Sequence, residues 1–148
     1  MRHALQVIGR VTGLSVGLVL LLSLGADSVS AQPVPPASAA QAADAGTVVR
    51  SLIDAMRLGD GARIRALFAP QASQAYGNGQ PKSGAAFVAW LESDIIARRG
   101  QVGGARYLVQ GDEVIVTGQF HNSRGYRAAA NFRFVVDQGR IVSWQVRY

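Results

Sequence analysis

A change in the spacing of apolar residues near Gly100 constrains the fold of this chain most. Between Asp44 and Arg99, apolar side chains recur every three or four residues, which is typical of helices with one buried face. From Tyr107 to Tyr148 the apolar side chains alternate with polar ones, which is typical of strands. Helices followed by strands predict an α+β domain in which the helices pack on one face of an antiparallel sheet.

Three helices are predicted before this change, and each has a cap or stop signal. Gly59 ends the first helix, Asp60 caps the second and Ser83 caps the third. The segment 71–81 is rich in Gly, Asn and Pro, which predicts a loop with at most a short strand around residues 75 and 76. The predicted helices span residues 44–58, 60–69 and 83–99.

Four strands are predicted after the change, separated by turn residues. A three-residue loop at 137–139 would place Phe132 opposite Trp144 and Phe134 opposite Val142, so that the apolar faces of the last two strands coincide. The predicted strands are Tyr107–Gln110, Glu113–His121, Tyr126–Val136 and Arg140–Tyr148.

The first residues have the three parts of an export signal. A basic start is followed by an apolar run that is too short to span a membrane, and Val29 and Ala31 fit a signal-peptidase site. We therefore predict that residues 1–31 are a cleaved signal peptide and that the protein is periplasmic or secreted, with no membrane span in the mature form. An uncleaved leader that anchors the protein in the inner membrane is the alternative. Residues 32–43, rich in Pro, Ala, Ser and Gln, predict a disordered linker, which leaves 44–148 as the folded domain.

Composition restricts the partners of this domain. The chain has no cysteine, so neither a disulfide framework nor a lipid-attachment cysteine is present. Its net charge is +6, but the arginines are scattered, with Arg98-Arg99 as the only adjacent pair. Nucleic-acid sites usually cluster their positive charge on one element. We therefore expect a solvated arginine-rich surface and no nucleic-acid partner.

Four short motifs in a fixed order carry a resemblance to a known superfamily. They are Gly59-Asp60 between two helices, Leu67-Phe68-Ala69 after the second, Gly84 at the start of the third, and Gly139-Arg140-Ile141 at the last strand. In this order, residues 44–148 resemble the nuclear transport factor 2-like superfamily, which includes ketosteroid isomerases and SnoaL-like polyketide cyclases. The resemblance implies a cone-shaped roll of three N-terminal helices packed on a curved antiparallel sheet, with an apolar pocket.

The catalytic set of the isomerases is not recognisable in this chain. Such an enzyme needs a carboxylate base, together with a tyrosine and a protonated acid that hold the oxyanion. The resemblance places Leu52 in the tyrosine's position and Tyr76 in the base's position. The acid's position falls on Asn131 without a gap or on Ala130 with the three-residue hairpin. The catalytic residues therefore remain unknown.

The other groups that could perform chemistry have simpler explanations. His121 is the only histidine after the leader; it ends a strand, and its face depends on whether the next hairpin has three or four residues. Asn131 and Arg133 would face the pocket only if the ungapped pairing is right. No metal site and no cofactor are expected, because the ligand clusters and phosphate-binding loops that hold them are missing from the sequence. Solvated positions are expected for six carboxylates, namely Asp54, Glu92, Asp94, Asp112, Glu113 and Asp137.

A pocket of aromatic residues is the predicted functional feature. The resemblance puts Tyr76, Trp144 and Tyr148 on the pocket wall, and their polar atoms could orient a ligand. Trp90, Phe132 and Val146 complete the predicted lining. The sequence thus favours an exported binding or accessory domain for a small apolar or amphipathic molecule.

Two other functions stay open. One is an enzyme of the cyclase, isomerase or dehydratase kind with relocated catalytic groups, in which Tyr76, Asn131, His121 or a helix carboxylate points inward. The other is an assembly module of an envelope complex that forms a homodimer through its sheet. The sequence does not identify the ligand or the oligomeric state.

Overall fold

The computed structural model describes the backbone of residues 37–148 and the side chains of residues 44–148. Helices come first in this part of the chain and strands dominate the rest. The elements are α1 (Ala37–Leu58), α2 (Gly61–Ala66), β1 (Phe68–Tyr76), β2 (Lys82–Ser83), α3 (Gly84–Trp90), a π-helical segment (Leu91–Ile96), β3 (Gln101–Gln110), β4 (Glu113–His121), β5 (Arg127–Asp137) and β6 (Arg140–Val146).

The six strands form one sheet in the order β2-β1-β6-β5-β4-β3. Strands β3 to β6 are joined as an antiparallel meander, as predicted, and β2 pairs antiparallel with β1. The α+β class is therefore confirmed, and one pairing departs from the antiparallel pattern. Strand β1 runs parallel to β6, with Gln74 opposite Trp144.

The core lies between α1 and the inner face of the sheet. Val49, Leu52 and Met56 recur at helical spacing on α1 and are fully buried. They belong to one apolar cluster with Phe134 and Trp144 of the sheet. Their burial removes a continuous apolar stripe from water, which is the main force that fixes the helix on the sheet.

The first helix begins earlier than predicted. It starts at Ala37 rather than Asp44, so the second half of the predicted linker is helical backbone. Residues 37–43 are mostly alanine, the residue with the highest helix propensity, and two prolines precede them in the sequence. The predicted signal peptide, residues 1–31, and linker residues 32–36 lie outside the described part of the chain.

The segment predicted as a loop after α2 is largely a strand. Strand β1 includes Pro70 and extends to Tyr76. Its pairing with β6 is irregular between Phe68 and Ser73, and such irregular positions are where a strand tolerates proline. Ala72 and Gln74 are fully buried, because β1 lies between β2 and β6. The prediction of a loop with at most a short strand was therefore wrong.

The predicted pairing of the last two strands was wrong by two residues. Phe134, not Phe132, lies opposite Trp144, and Phe132 lies opposite Val146. The turn has two residues instead of three, because Gln138 and Gly139 adopt φ angles of 48° and 74°, as a type I′ turn requires. An extra residue at Val142 then lets both Ile141 and Trp144 be buried.

Strand β3 is longer than predicted and changes its inner face part-way along. It starts at Gln101 rather than Tyr107, and its pairing with β4 shifts between Gly103 and Arg106. Val102 packs inward before this shift, whereas Tyr107 packs inward after it. Because the alternation restarts at the shift, sequence periodicity detected only the second half of the strand. Among the described residues, no helix is long and apolar enough to cross a membrane.

Candidate functional site

A cavity of about 710 Å³ lies against the aromatic face of the sheet. It is bounded by β1, the helix after β2, the loop between β4 and β5, and the end of β6. All six residues of the predicted pocket line this one cavity. They are Tyr76, Trp90, Phe132, Trp144, Val146 and Tyr148.

Trp144 is the centre of the cavity's apolar wall. It is 1% exposed, and the centroid of its ring system lies 5.0 Å from that of Trp90, edge to face. The Phe132 ring packs against it at 5.3 Å, and the Phe134 ring at 5.0 Å. Edge-to-face and tilted contacts of this kind suit the charge distribution of aromatic rings, so the wall is held rigidly.

Tyr76 supplies a polar group at the edge of this wall. The indole Nε1 of Trp90 donates a hydrogen bond of 2.9 Å to the Tyr76 hydroxyl oxygen. Lys82 Nζ lies 4.8 Å from the centroid of the Tyr76 ring, in a cation–π contact. Burial raises the pKa of Tyr76 and the nearby Asp94 carboxylate raises it further, while the bond from Trp90 lowers it. Because the pKa of Tyr76 is raised overall, its phenol keeps its proton at neutral pH.

Asp94 and Arg98 bring charge to the cavity from the helix side. Arg98 Nη1 lies 2.8 Å from Asp94 Oδ1, and both side chains line the cavity. Asp94, which the sequence predicted as a solvated carboxylate, is partly exposed, and it also lines the cavity. The segment that carries Asp94 is π-helical, with a bond of 2.8 Å from the Ala97 N–H to the Glu92 carbonyl.

The third helix therefore differs from the continuous α-helix predicted for 83–99. It contains α3 and the π-helical segment, which has one extra residue in its turn. Phe87, Leu91 and Ile95 are buried as predicted, but Val88, expected beside them, is 54% exposed. Ser83 occupies the N-cap position of α3 without a side-chain hydrogen bond to the backbone.

The mouth of the cavity is aromatic and positively charged. Tyr126 and Tyr148 are exposed there, and the Tyr148 ring lies so close to Gly77 that a Cβ on Gly77 would be 3.3 Å from it. Among the described residues that line the cavity, Asp94 is the only carboxylate. The cationic side chains of the lining are Arg98, Arg124 and Arg147. Arg98 is paired with Asp94, so positive charge is in excess at the mouth.

The sequence did not decide whether Asn131, His121 and Arg133 face the cavity, and the structure gives each of them a different position. Asn131 lines the cavity. His121 ends β4, opposite Arg127, and is not among the lining residues. Arg133 forms an ion pair with Glu113, in which its Nε donates a bond of 2.8 Å to Glu113 Oε2. The bond from Arg133 lowers the pKa of the Glu113 carboxyl.

The residues that sequence reasoning missed lie mostly on the helix and in the loop before β5. Trp90, Asp94 and Arg98 are spaced four apart, so they share one face, and this spacing could have placed the two charged residues at the cavity. The loop residues carried no comparable signal, because their position depends on the hairpin between β4 and β5. The missed lining residues include Asp94, Ile95, Arg98, Phe120, Asn122 and Arg124.

The described part of the chain does not repeat the carboxylate base and oxyanion-holding tyrosine of the isomerases at the positions that the resemblance assigns to them. Leu52 is fully buried, so the position of the isomerases' tyrosine presents no polar group. Ala130, the acid's position under the three-residue hairpin that the structure does not have, is buried, whereas Asn131, its position without a gap, lines the cavity with an amide. Within residues 44–148, no three of the His, Cys, Asp and Glu side chains are placed to hold a metal ion together. The cavity therefore offers a hydrogen-bonding phenol, one ion pair and an aromatic wall.

Helices followed by a six-stranded sheet, with a cavity on the sheet's aromatic face, define a nuclear transport factor 2-like α+β domain. The sequence profile of the SnoaL-like domain matches residues 49–144. The chain belongs to this SnoaL-like family. The match begins in the middle of α1 and ends at the buried Trp144 of β6, so it includes most of the residues that line the cavity.

Solved structures share this fold at low sequence identity. A proposed polyketide cyclase from Xanthomonas campestris pv. campestris is 19% identical, with a TM-score of 0.62, over 73% of this chain and 92% of that one. A Mycobacterium tuberculosis protein in complex with estradiol-17beta-hemisuccinate is 18% identical, with a TM-score of 0.61, over 71% and 93%. A computationally designed 17-OHP binder is 18% identical, with a TM-score of 0.59, over 71% and 90%. No curated protein matches this chain in sequence.

Proposed function

We propose that this protein is an exported domain that binds a small amphipathic molecule in the aromatic cavity. The observation that carries the proposal is the cavity itself, about 710 Å³ in volume and walled by Trp90, Phe132 and Trp144. Sites for drug-sized molecules have volumes of roughly 300–1,000 Å³ and apolar walls with a few polar groups. The hydroxyl of Tyr76 and the Asp94–Arg98 pair are such polar groups.

The charge at the mouth and the structural relatives support an amphipathic ligand. Arg124 and Arg147 leave positive charge at the opening, which favours a ligand that has an acidic or strongly polar end outside an apolar ring body. One relative with this fold was solved with a steroid hemisuccinate. Such a molecule combines fused apolar rings with a carboxylate, so it is a suitable first probe for this cavity.

Intrinsic fluorescence tests this proposal directly. The chain has only two tryptophans, Trp90 and Trp144, and both line the cavity. Titration of the full chain with estradiol hemisuccinate should give a saturable change in tryptophan emission. The variant Leu108→Ala, which alters an exposed side chain away from the cavity, should behave like the parent protein. A strictly linear, non-saturable change with this and other ring compounds would contradict ligand binding.

A second candidate function is acid–base catalysis in the same cavity. The supporting observation is that a carboxylate, Asp94, and a protonated phenol, Tyr76, both line the cavity. Together they could remove a proton next to a ring carbonyl and donate a hydrogen bond to its oxygen. Deuterium uptake next to the carbonyl of α-tetralone, followed by mass spectrometry, would reveal this activity. Catalysed uptake that the variant Asp94→Asn abolishes would support an enzyme, and uptake no faster than in buffer would exclude it for this ketone.

Export and assembly form a separate part of the proposal. The basic and apolar start of the chain supports cleavage after Ala31, and the intact mass of the protein from the periplasm or the medium would test it. Retention of residues 1–31 in the membrane fraction would favour the anchored alternative. A homodimer through the sheet is the assembly alternative, and the native mass in solution decides between it and a monomer.

A further inference from the structure

The loop between β4 and β5 presents positive and aromatic side chains beside the mouth of the cavity. It contains Arg124, Tyr126 and Arg127 within four residues, and residues 122–127 include no carboxylate. Residues 123–127 are all exposed, with Tyr126 at 58%. In the described part of the chain, neither arginine of this loop forms an ion pair. Two uncompensated positive charges and one aromatic ring therefore face the solvent here.

Hydrogen bonds within and below the loop hold it in one shape. The Asn122 side-chain oxygen accepts bonds from two backbone N–H groups, at 3.0 Å from Arg124 and at 3.2 Å from Tyr126. The N–H and the hydroxyl of Ser123 both donate to the carbonyl of Arg98, each over 2.8 Å. A loop that is already ordered loses little backbone entropy when it binds a surface, so its exposed side chains can act together.

Tyr148 extends this surface on the other side of the mouth. Its side chain is 94% exposed, and it lines the same opening as Arg124 and Tyr126. Tyrosine rings are favoured at the boundary between water and lipid, because one end is apolar and the other polar. Arginines near an anionic bilayer are attracted to its headgroups. The combination matches a lipid surface better than a nucleic acid, because the positive charge is limited to one short loop.

We propose that Arg124, Tyr126, Arg127 and Tyr148, which we call the mouth patch, dock on the surface of an anionic lipid bilayer. This inference goes beyond the proposed function, because it concerns a partner of the outer surface and not the molecule in the cavity. Docking through the mouth patch brings the opening of the cavity to the bilayer, where amphipathic molecules collect.

Sedimentation with lipid vesicles tests the charge of the mouth patch. The full chain should bind vesicles of phosphatidylglycerol and phosphatidylcholine in equal parts, and phosphatidylcholine alone far more weakly. Replacing both loop arginines, Arg124→Gln with Arg127→Gln, should weaken binding to the mixed vesicles about 25-fold, which is roughly fivefold for each arginine.

The matched control is the double variant Arg106→Gln with Arg140→Gln. It removes the same charge from exposed positions that do not line the cavity. Arg140 pairs with Asp137, at the far end of β5 from the loop. Because salt screens charges that lie away from the bilayer, the control should weaken binding less than about threefold.

A fluorescent label tests which face meets the bilayer. The chain has no cysteine, so Tyr148→Cys can be labelled at one position with a polarity-sensitive dye such as bimane. Its emission should shift to shorter wavelength when the mixed vesicles are added. The same dye at Leu108→Cys, an exposed position on β3, should not shift. Both labelled chains keep the same N-terminal residues, so a difference between them reports the docking face.

Several results would overturn the proposal. Equal losses in the two double variants would assign binding to the net charge of the whole protein, and equal shifts of the two labels would exclude docking through the mouth. Binding to polyglutamate but not to vesicles would identify an acidic protein as the partner. A parent protein that binds estradiol hemisuccinate but no vesicles would contradict docking alone, whereas vesicle binding without any ring ligand would contradict only the proposed function.

Discussion

At the scale of single residues, Gly118 shows how closely β4 packs against β3 where the pairing of these two strands changes register. A Cβ on Gly118 would lie 2.7 Å from the carbonyl oxygen of Gly103 and 3.0 Å from a side-chain carbon of Val102. Real Cβ atoms do not approach backbone oxygens this closely. The irregular part of β3 therefore fits against β4 only because residue 118 has no side chain.

The variant Gly118→Ala should destabilise the protein by about 1–3 kcal/mol, the usual cost of forcing extra atoms into a packed region. Gly103→Ala is the control, since a Cβ there would meet its nearest atoms at 3.9 Å, an ordinary contact. Chemical denaturation of both variants measures the difference. If Gly118→Ala were as stable as Gly103→Ala, the close approach of the two strands would be wrong.

At the scale of elements, the short helix α2 depends on its cap. The Asp60 side chain accepts a hydrogen bond of 3.0 Å from the Arg63 N–H, as the sequence predicted. In the same part of the fold Arg65 of α2 forms an ion pair with Glu92 of the π-helical segment. A six-residue helix has few internal bonds, so an unsatisfied N–H at its start matters.

Loss of the cap is expected to be measurable. Asp60→Ala should lower the free energy of unfolding by about 1 kcal/mol, whereas Asp60→Ser, which keeps an acceptor at this position, should lower it by less. Thermal or urea denaturation distinguishes the two. Equal losses in both variants would show that the charge of Asp60, and not its hydrogen bond, stabilises α2.

Some helices and strands were predicted correctly from the sequence pattern, and others were not. Regular periodicity located α1, α2 and β4, whereas the resemblance, and not periodicity, placed Tyr76, Trp144 and Tyr148 on the cavity wall. Asp94 was not predicted to line the cavity, although it follows the predicted cavity residue Trp90 at helical spacing. The pairing of Phe134 with Trp144 was missed because Gln138 adopts a positive φ, a conformation that its residue type does not signal.

At the scale of the whole molecule, stability should depend on acid through two glutamates. Arg65 lowers the pKa of Glu92, and Arg133 lowers that of Glu113, in each case mainly by a side-chain hydrogen bond. A carboxyl whose pKa is lower in the folded than in the unfolded state stabilises the fold above its unfolded pKa. That stability is lost as the pH falls through the lower, folded value.

We therefore expect a constant free energy of unfolding near neutral pH and a decline once the pH falls below the ordinary glutamate pKa of 4.5. In Glu113→Gln the decline of the free energy of unfolding should be shallower, because only Glu92 of the two glutamates still titrates. Urea denaturation between pH 7 and 3 measures both slopes. A parent protein that became more stable as the pH fell through this range would contradict the two ion pairs.

The parallel pairing of β1 with β6 has a consequence for the order of folding. Strands β3 to β6 can pair with their chain neighbours, but Gln74 meets Trp144 only after a long stretch of chain is closed into a loop. Tyr76 and Val146, which face each other on these two strands, both line the cavity. A ligand that touches both strands binds only the completed sheet. Such a ligand is expected to slow unfolding while leaving the rate of folding unchanged.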